Sequence, residues 1–203
     1  LSIVVPVYNE EPTIREIAKR VFDACGEFSE VIFVDDGSKD DSLSILQEIA
    51  RDQDTVMTKK NGGKGSAVRK GYKVASGTYV IVQDADLEYD PEEIPGLLEY
   101  AEKNNLKALW GSRRLKKQKQ FVHFGHFIGG TSLTYVCNIL FGSHLTDQPT
   151  CYKMVRNDLL QTFPLKEDDF RFDPELTVMV LRNGVDIKEQ PISYHPRKIG
   201  RAS

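Results

Sequence analysis

Short, uninterrupted apolar runs alternate with helical spacing through the first half of the chain. Residues 3–7 and 31–34 are rich in β-branched side chains and lack polar alternation, the pattern of parallel strands covered on both faces. Between them, residues 13–25 carry Ile14, Ile17, Val21 and Phe22 at helical intervals. Residues 42–49 repeat that spacing with Leu43, Leu46 and Ile49. Farther on, the pattern predicts a strand over 55–58, a helix over 66–75, a strand over 78–82, a helix led by Pro91 to 103, and a strand over 107–110. Strands alternating with helices predict the α/β class with a mainly parallel sheet flanked by helices. After Arg113 the pattern changes. Arg113, Arg114, Lys116, Lys117 and Lys119 form a basic cluster leading into an amphipathic stretch over 121–141, followed by a helix over 174–182 and a strand over 187–192. No repeat or linker interrupts the chain, so residues 1–203 read as one domain.

Composition narrows the classes. With 203 residues, 40% hydrophobic and 28% charged, the chain has enough apolar residues for one core, and its net charge of −3 argues against a nucleic-acid partner. Cys25, Cys137 and Cys151 are odd in number and lack metal-ligand spacing, which reads as reduced thiols in a cytoplasmic protein. No secretory signal is read at the start. The missing initiator Met and the stop after GRAS suggest an excerpt of a longer polypeptide. The 121–141 stretch holds two histidines and tandem glycines, too interrupted for a spanning segment of about 20 apolar residues.

Candidate chemistry lies just after the predicted strands, where open α/β sheets bind ligands: Asn9-Glu10, Asp35-Asp36, Asp84 to Glu88, and Ser112-Arg113. In VQDADLEYDP the carboxylates of Asp84 and Asp86 are two apart, so extended backbone sets them on one face, with Glu88 next in the series. Oxygen ligands of this kind suit Mg²⁺ or Mn²⁺ shared with substrate phosphates, although a solvated acidic loop has the same pattern. VDDGSKDDS offers Asp35 and Asp36 to nucleoside N–H or hydroxyl groups, while Asp40 and Asp41 read as helix caps. KNGGKGSAVRKG is a glycine-rich turn opening a helix without P-loop or dinucleotide spacing, and Lys64 with the helix N-terminus suits a pyrophosphate or a base.

PVYNE, VDDGSKDDS, NGGKGSAVRKG, DADLEYDP and GSRR follow in an order that resembles glycosyltransferase family 2 across nearly the whole chain. LTDQPTCYKM, RFDPEL and PISYHPRKIGRAS look like its polyprenyl- or dolichyl-phosphate mannosyl- and glucosyltransferases. The resemblance implies a GT-A, Rossmann-like fold, with residues 1–113 as the nucleotide-sugar-binding part and 114–203 on the acceptor side. It implies a nucleotide diphosphate sugar donor of the GDP-mannose or UDP-glucose type, Mg²⁺ or Mn²⁺, and inversion. By the same likeness, Pro6, Tyr8, Glu10 and Asp36 line the nucleoside pocket, Lys64 lies in the base-facing glycine loop, Asp84 faces sugar or ribose, Asp86 and Glu88 bind metal, and Arg113 binds phosphate. The sequence departs from the family at Cys151-Tyr152-Lys153, where Gly-Phe/Tyr-Arg is common.

A lipid phosphate acceptor would be largely anionic near neutral pH, since its second pKa is about 6, and needs cations more than a base. Arg113, Arg197 and Arg201 suit that task. Asp147 and Asp173 are weaker candidates for a base, and Asp147 suits orienting other groups better than taking a proton. The basic cluster and the amphipathic stretch suggest peripheral docking on the cytoplasmic face of a membrane. Competing readings are transfer to a saccharide, lipid or protein hydroxyl, a sugar-phosphate nucleotidyltransferase, and a non-catalytic nucleotide-sugar-binding module.

Overall fold

The computed structural model describes residues 1–116 and 124–196, with backbone alone for 124–129. Its seven strands are β1 (Ser2–Val7), β2 (Glu30–Asp35), β3 (Thr55–Thr58), β4 (Tyr79–Val82), β5 (Ala108–Ser112), β6 (Lys153–Arg156) and β7 (Lys188–Pro191). They form one sheet in the order β3-β2-β1-β4-β6-β5-β7. The helices are α1 (Ile14–Cys25), α2 (Ser42–Ile49), α3 (Lys64–Tyr72), α4 (Ile94–Lys103), α5 (Phe124–Phe141), α6 (Asn157–Leu160) and α7 (Phe172–Arg182).

β1 and β2 are the unbroken apolar runs, and Ile3, Val4, Val5, Val31, Ile32 and Phe33 are all fully buried between helical layers. Parallel pairing joins β3, β2, β1 and β4, and also β5 with β7, while β6 runs antiparallel between β4 and β5. The sheet is therefore mixed. Neither β6 nor α6 is predicted from the sequence: KMVR is short and bounded by charges, and its Lys153 is nonetheless only 1% exposed. α3 starts at Lys64, two residues before the predicted start, and ends earlier, at Tyr72. Pro91 begins a 3₁₀ turn (Pro91–Glu93) that continues into α4, with the Asp90 side chain accepting the Glu92 N–H.

Pro6 sits in a central strand without breaking the ladder. The Val4 carbonyl faces β4 and accepts the Gln83 N–H at 2.9 Å, and β1–β4 pairing ends at Val4 and Val82. Pro6, two residues on, points to that same side, where no strand remains to be donated to. Beyond this point β1 and β4 part, which opens a crevice at the strand ends.

α3 lies close over β1 and β2 because Gly71 is a contact point. A β-carbon there would come 2.5 Å from Val4 Cγ1. Helix propensity alone would favour alanine by about 1 kcal/mol, but overpacking costs about 1–3 kcal/mol. We expect Gly71→Ala to lower unfolding free energy by about 1–2 kcal/mol in urea titration. An increase would mean that the contact yields freely.

Candidate active site

The crevice holds a cavity of about 250 Å³ lined by side chains from four strand ends and the start of α3. Pro6, Tyr8 and Glu10 come from the end of β1, Asp36 from β2, Lys64 from α3, and Asp84 and Asp86 from β4. The structure thus brings seven of the sequence-derived candidates together. Phe170, from the segment before α7, closes one side.

Asp36 fastens the glycine-rich turn. Its carboxylate accepts the Gly62 N–H at 3.0 Å and the Gly63 N–H at 2.8 Å, and pairs with Lys59. Asp35 is turned to local structure instead, accepting from the Gly37 and Ser38 N–H groups and from Thr58 Oγ1. Asp40 accepts the Ser42 N–H at the start of α2, whereas Asp41 makes no side-chain cap. At the opening of α3 the Ser66 N–H donates to the Asp168 carbonyl, so this N-terminus is partly capped by the chain itself.

Lys64 does not stand apart to meet a base. Its ammonium lies 2.7 Å from Asp84 Oδ1 and 3.8 Å from Asp173 Oδ2. Burial pulls the Lys64 pKa down, but the facing Asp84 together with Cys151 and Asp173 outweighs it and holds the group well above the ordinary lysine value. Behind it, Lys153 Nζ donates to the Asp173 carbonyl at 3.0 Å and to Oδ1 at 3.2 Å, and burial draws its pKa below the ordinary value. Asp173 therefore bridges two ammonium groups. Between them sits Cys151, whose thiol is pushed well up by burial and whose Sγ is 3.8 Å from Lys64 Nζ.

A second group joins the cavity through Asp86, whose Oδ1 accepts the Glu88 N–H at 3.1 Å. Glu88 Oε2 accepts the Tyr194 hydroxyl at 2.7 Å, and the Arg113 guanidinium lies 5.1 Å over the Tyr194 ring. Arg113 donates from Nε and Nη2 to Asp147 at 2.7 and 2.8 Å, and its backbone N–H reaches the same carboxylate at 3.0 Å. Asp147 is fully buried, a setting that suits fixing the Arg113 fork rather than abstracting a proton. Glu189 holds the Asp147 N–H in turn at 3.0 Å. The sequence reading gave Tyr194, Lys153 and Glu189 no role; PISYHPRK contains the first and LTDQPTCYKM the second, and no local pattern marks Glu189. Arg197 and Arg201 lie outside the described residues, as do Lys117 and Lys119. All three cysteines are free and buried.

A sheet of this order with an acidic crevice at its strand ends is the GT-A glycosyltransferase fold, the class the sequence resemblance implies. The chain matches the model of glycosyl transferase family 2 over residues 2–163 and belongs to that family. It is similar to an undecaprenyl-phosphate 4-deoxy-4-formamido-L-arabinose transferase from Pectobacterium carotovorum, with 44% identity over 108 residues, 50% of this chain and 33% of that protein. The namesake from Proteus mirabilis is 38% identical over 125 residues, 58% of this chain and 38% of that one. The chain thus spans about a third of the length of the curated relatives it matches. Among solved structures, glucosyl-3-phosphoglycerate synthase from Mycobacterium tuberculosis with Mn²⁺, UDP and glucosyl-3-phosphoglycerate superposes with a TM-score of 0.73 at 17% identity, covering 98% of this chain and 72% of that one. The same enzyme with Mg²⁺ and UDP gives 0.69 at 18%, covering 97% and 72%. At that identity the likeness is one of fold.

The bridging carboxylate makes a stability prediction. Asp173→Ala would leave the Lys153 ammonium buried without its counter-charge, which costs about 3–5 kcal/mol. Lys153→Met fills a similar volume and leaves Asp173 facing Lys64, so its cost should be clearly smaller. Equal losses in denaturant titration would refute the bridge.

Proposed function

We propose that the chain is the catalytic part of an inverting glycosyltransferase that moves a hexose from a nucleotide diphosphate sugar to a polyprenyl phosphate. The observation that carries this reading is the crevice itself, where Asp84, Asp86 and Lys64 meet at the parting of β1 and β4. The names of the relatives supply the acceptor class. Residues 1–113 carry the donor side and 114–203 the acceptor side, with Lys153, Phe170 and Asp173 of the second part reaching back to the donor crevice.

A divalent ion of the Mg²⁺ or Mn²⁺ type fits the donor set. Such ions are held by one or two carboxylates together with substrate phosphates, not by a full protein cage. Asp86 lines the cavity and Glu88 follows two residues on, while no cluster of three or more metal-ligating side chains exists among the described residues. Asp86 and Glu88 would hold the ion. When bound, it offsets charge on the departing nucleoside diphosphate.

The side chains divide the remaining work. Pro6, Tyr8, Glu10 and Asp36 bound the nucleoside end, with Asp36 acting mainly by fixing the glycine-rich turn. Asp84 accepts from sugar hydroxyls and Lys64 holds it oriented. Arg113, pinned by Asp147, presents its guanidinium to a phosphate. Because a phosphate monoester attacks as an anion, no protein base is required.

Peripheral membrane docking on the cytoplasmic face agrees with the surface of α5. Tyr135, Val136, Ile139 and Leu140 are exposed on it, Thr134 and Cys137 face inward, and Arg114 and Lys116 precede it. No helix among the described residues is long and apolar enough to cross a bilayer.

The test is release of nucleoside diphosphate from UDP-glucose or GDP-mannose with Mn²⁺ and a short-chain polyprenyl phosphate. Release that depends on the lipid supports the proposal, and release only with saccharide acceptors would overturn it. Asp86→Ala should reduce turnover at least about 100-fold, the scale of lost transition-state charge stabilisation, with an unchanged melting temperature. Full activity in that variant would remove Asp86 from the metal site.

A further inference from the structure

Residues 165–171 lie across the glycine-rich start of α3 and are fixed from both flanks. On one side the Ser66 N–H donates to the Asp168 carbonyl at 3.0 Å, Arg69 Nη1 donates to the Leu165 carbonyl at 3.1 Å, and the Arg69 guanidinium pairs with the Asp168 carboxylate. On the other, the Glu175 carboxylate accepts the Lys166 N–H at 2.8 Å and the Glu167 N–H at 3.0 Å. The fit is close enough to require glycine beneath it. A β-carbon at Gly63 would lie 2.6 Å from the Asp168 carbonyl oxygen, and one at Gly65 would lie 2.5 Å from that of Glu167.

This anchored segment carries Phe170, which is 71% exposed although it lines the cavity. Its near neighbour Phe172 shows that the segment can bury a ring, since Phe172 is 1% exposed and packs 5.8 Å from Tyr72. The Phe170 ring stands 6.0 Å from Lys64 Nζ, the ammonium that pairs with Asp84. An exposed aromatic ring beside a carboxylate suits a ligand with one apolar face and a hydroxylated edge. A pyranose has both: its C–H face packs on the negative face of an aromatic ring while its hydroxyls donate to a carboxylate. An isoprenoid chain would match the ring but gain nothing from the Lys64–Asp84 pair. A nucleobase has Tyr8, Pro6 and Asp36 to meet in the same cavity.

We infer that Phe170 is the platform on which the hexose of the donor rests, and that it contributes to choice of sugar. The inference builds on the functional reading above. It is tested by calorimetric titration of the 203-residue chain, in Mn²⁺, with UDP and UDP-glucose and with GDP and GDP-mannose. Phe170→Ala should bind the nucleoside diphosphate within about twofold of the parent. It should bind the matching nucleotide sugar about three- to tenfold more weakly, the range of one aromatic contact. Phe170→Trp should restore sugar binding, and neither substitution should shift the melting temperature. Equal weakening of diphosphate and nucleotide sugar would overturn the proposal, because the ring would then serve the nucleotide. Unchanged binding of both, with a raised KM for polyprenyl phosphate, would overturn it in favour of an acceptor contact. Failure of the parent chain to bind any of the four would instead sink the functional reading, and the Phe170 inference with it.

Discussion

The parting of β1 and β4 beyond Val4 and Val82 is the constraint to which the rest of the structure answers. Parallel strands must be covered on both faces, so their polar residues are pushed to the ends. Where two neighbouring strands diverge, those ends face one another across a gap instead of across a ladder. Pro6 can occupy a central strand only because its side of β1 has already lost its neighbour. Asp84 and Asp86, just past β4, meet Tyr8 and Glu10, just past β1, for the same reason. The site is a consequence of topology before it is a consequence of any one side chain.

Concentrating carboxylates there is costly unless cations offset them. The protein does this in two ways. Beside the glycine-rich turn, Asp173 bridges Lys64 and Lys153, so that Asp84 faces an ammonium whose own position is set from behind. At the end of β5, Asp147 is fully buried and fixes Arg113 through a two-nitrogen fork. In both cases a carboxylate, fully buried at Asp147 and partly buried at Asp173, orients a cation, and the cation then presents charge to the cavity or beside it. Buried pairs of this kind add little net stability, because desolvation takes back most of the Coulomb gain. What they provide is direction. Tyr194 ties the two halves, with its ring under Arg113 and its hydroxyl on Glu88.

Much of the fold is legible in the sequence because its signals are local. The buried runs at β1 and β2, the helical spacing of α1 and α2, and the proline that leads into α4 all specify themselves within a dozen residues. β6 is not legible, because KMVR places a lysine where the sheet is buried, and only the distant Asp173 makes that tolerable. The candidate site divides in the same way. Strand-end reasoning points to Glu10, Asp36, Asp84 and Asp86, the glycine-rich turn adds Lys64 and the family resemblance adds Pro6 and Tyr8, and all seven line one cavity. Their partners are another matter. Lys64 reaches Asp84 across 20 residues and Arg113 reaches Asp147 across 34, separations that no local pattern reports. That is why the pairing of Lys64 with Asp84 is not legible in the sequence.

The departure at Cys151-Tyr152-Lys153 then has a physical account. Cys151 is a small, fully buried side chain packed beside Lys64 and under the Val82 carbonyl, and its N–H donates to Tyr89. A glycine there would give up that packing. Lys153 replaces a fork-shaped cation with a point charge, and a point charge is satisfied by one carboxylate and one carbonyl, both supplied by Asp173. The two changes are neighbours in one network: the thiol occupies space beside the ammonium groups, and the slimmer lysine fits behind it. Lys153 thus holds Asp173, and through it Lys64, against the crevice.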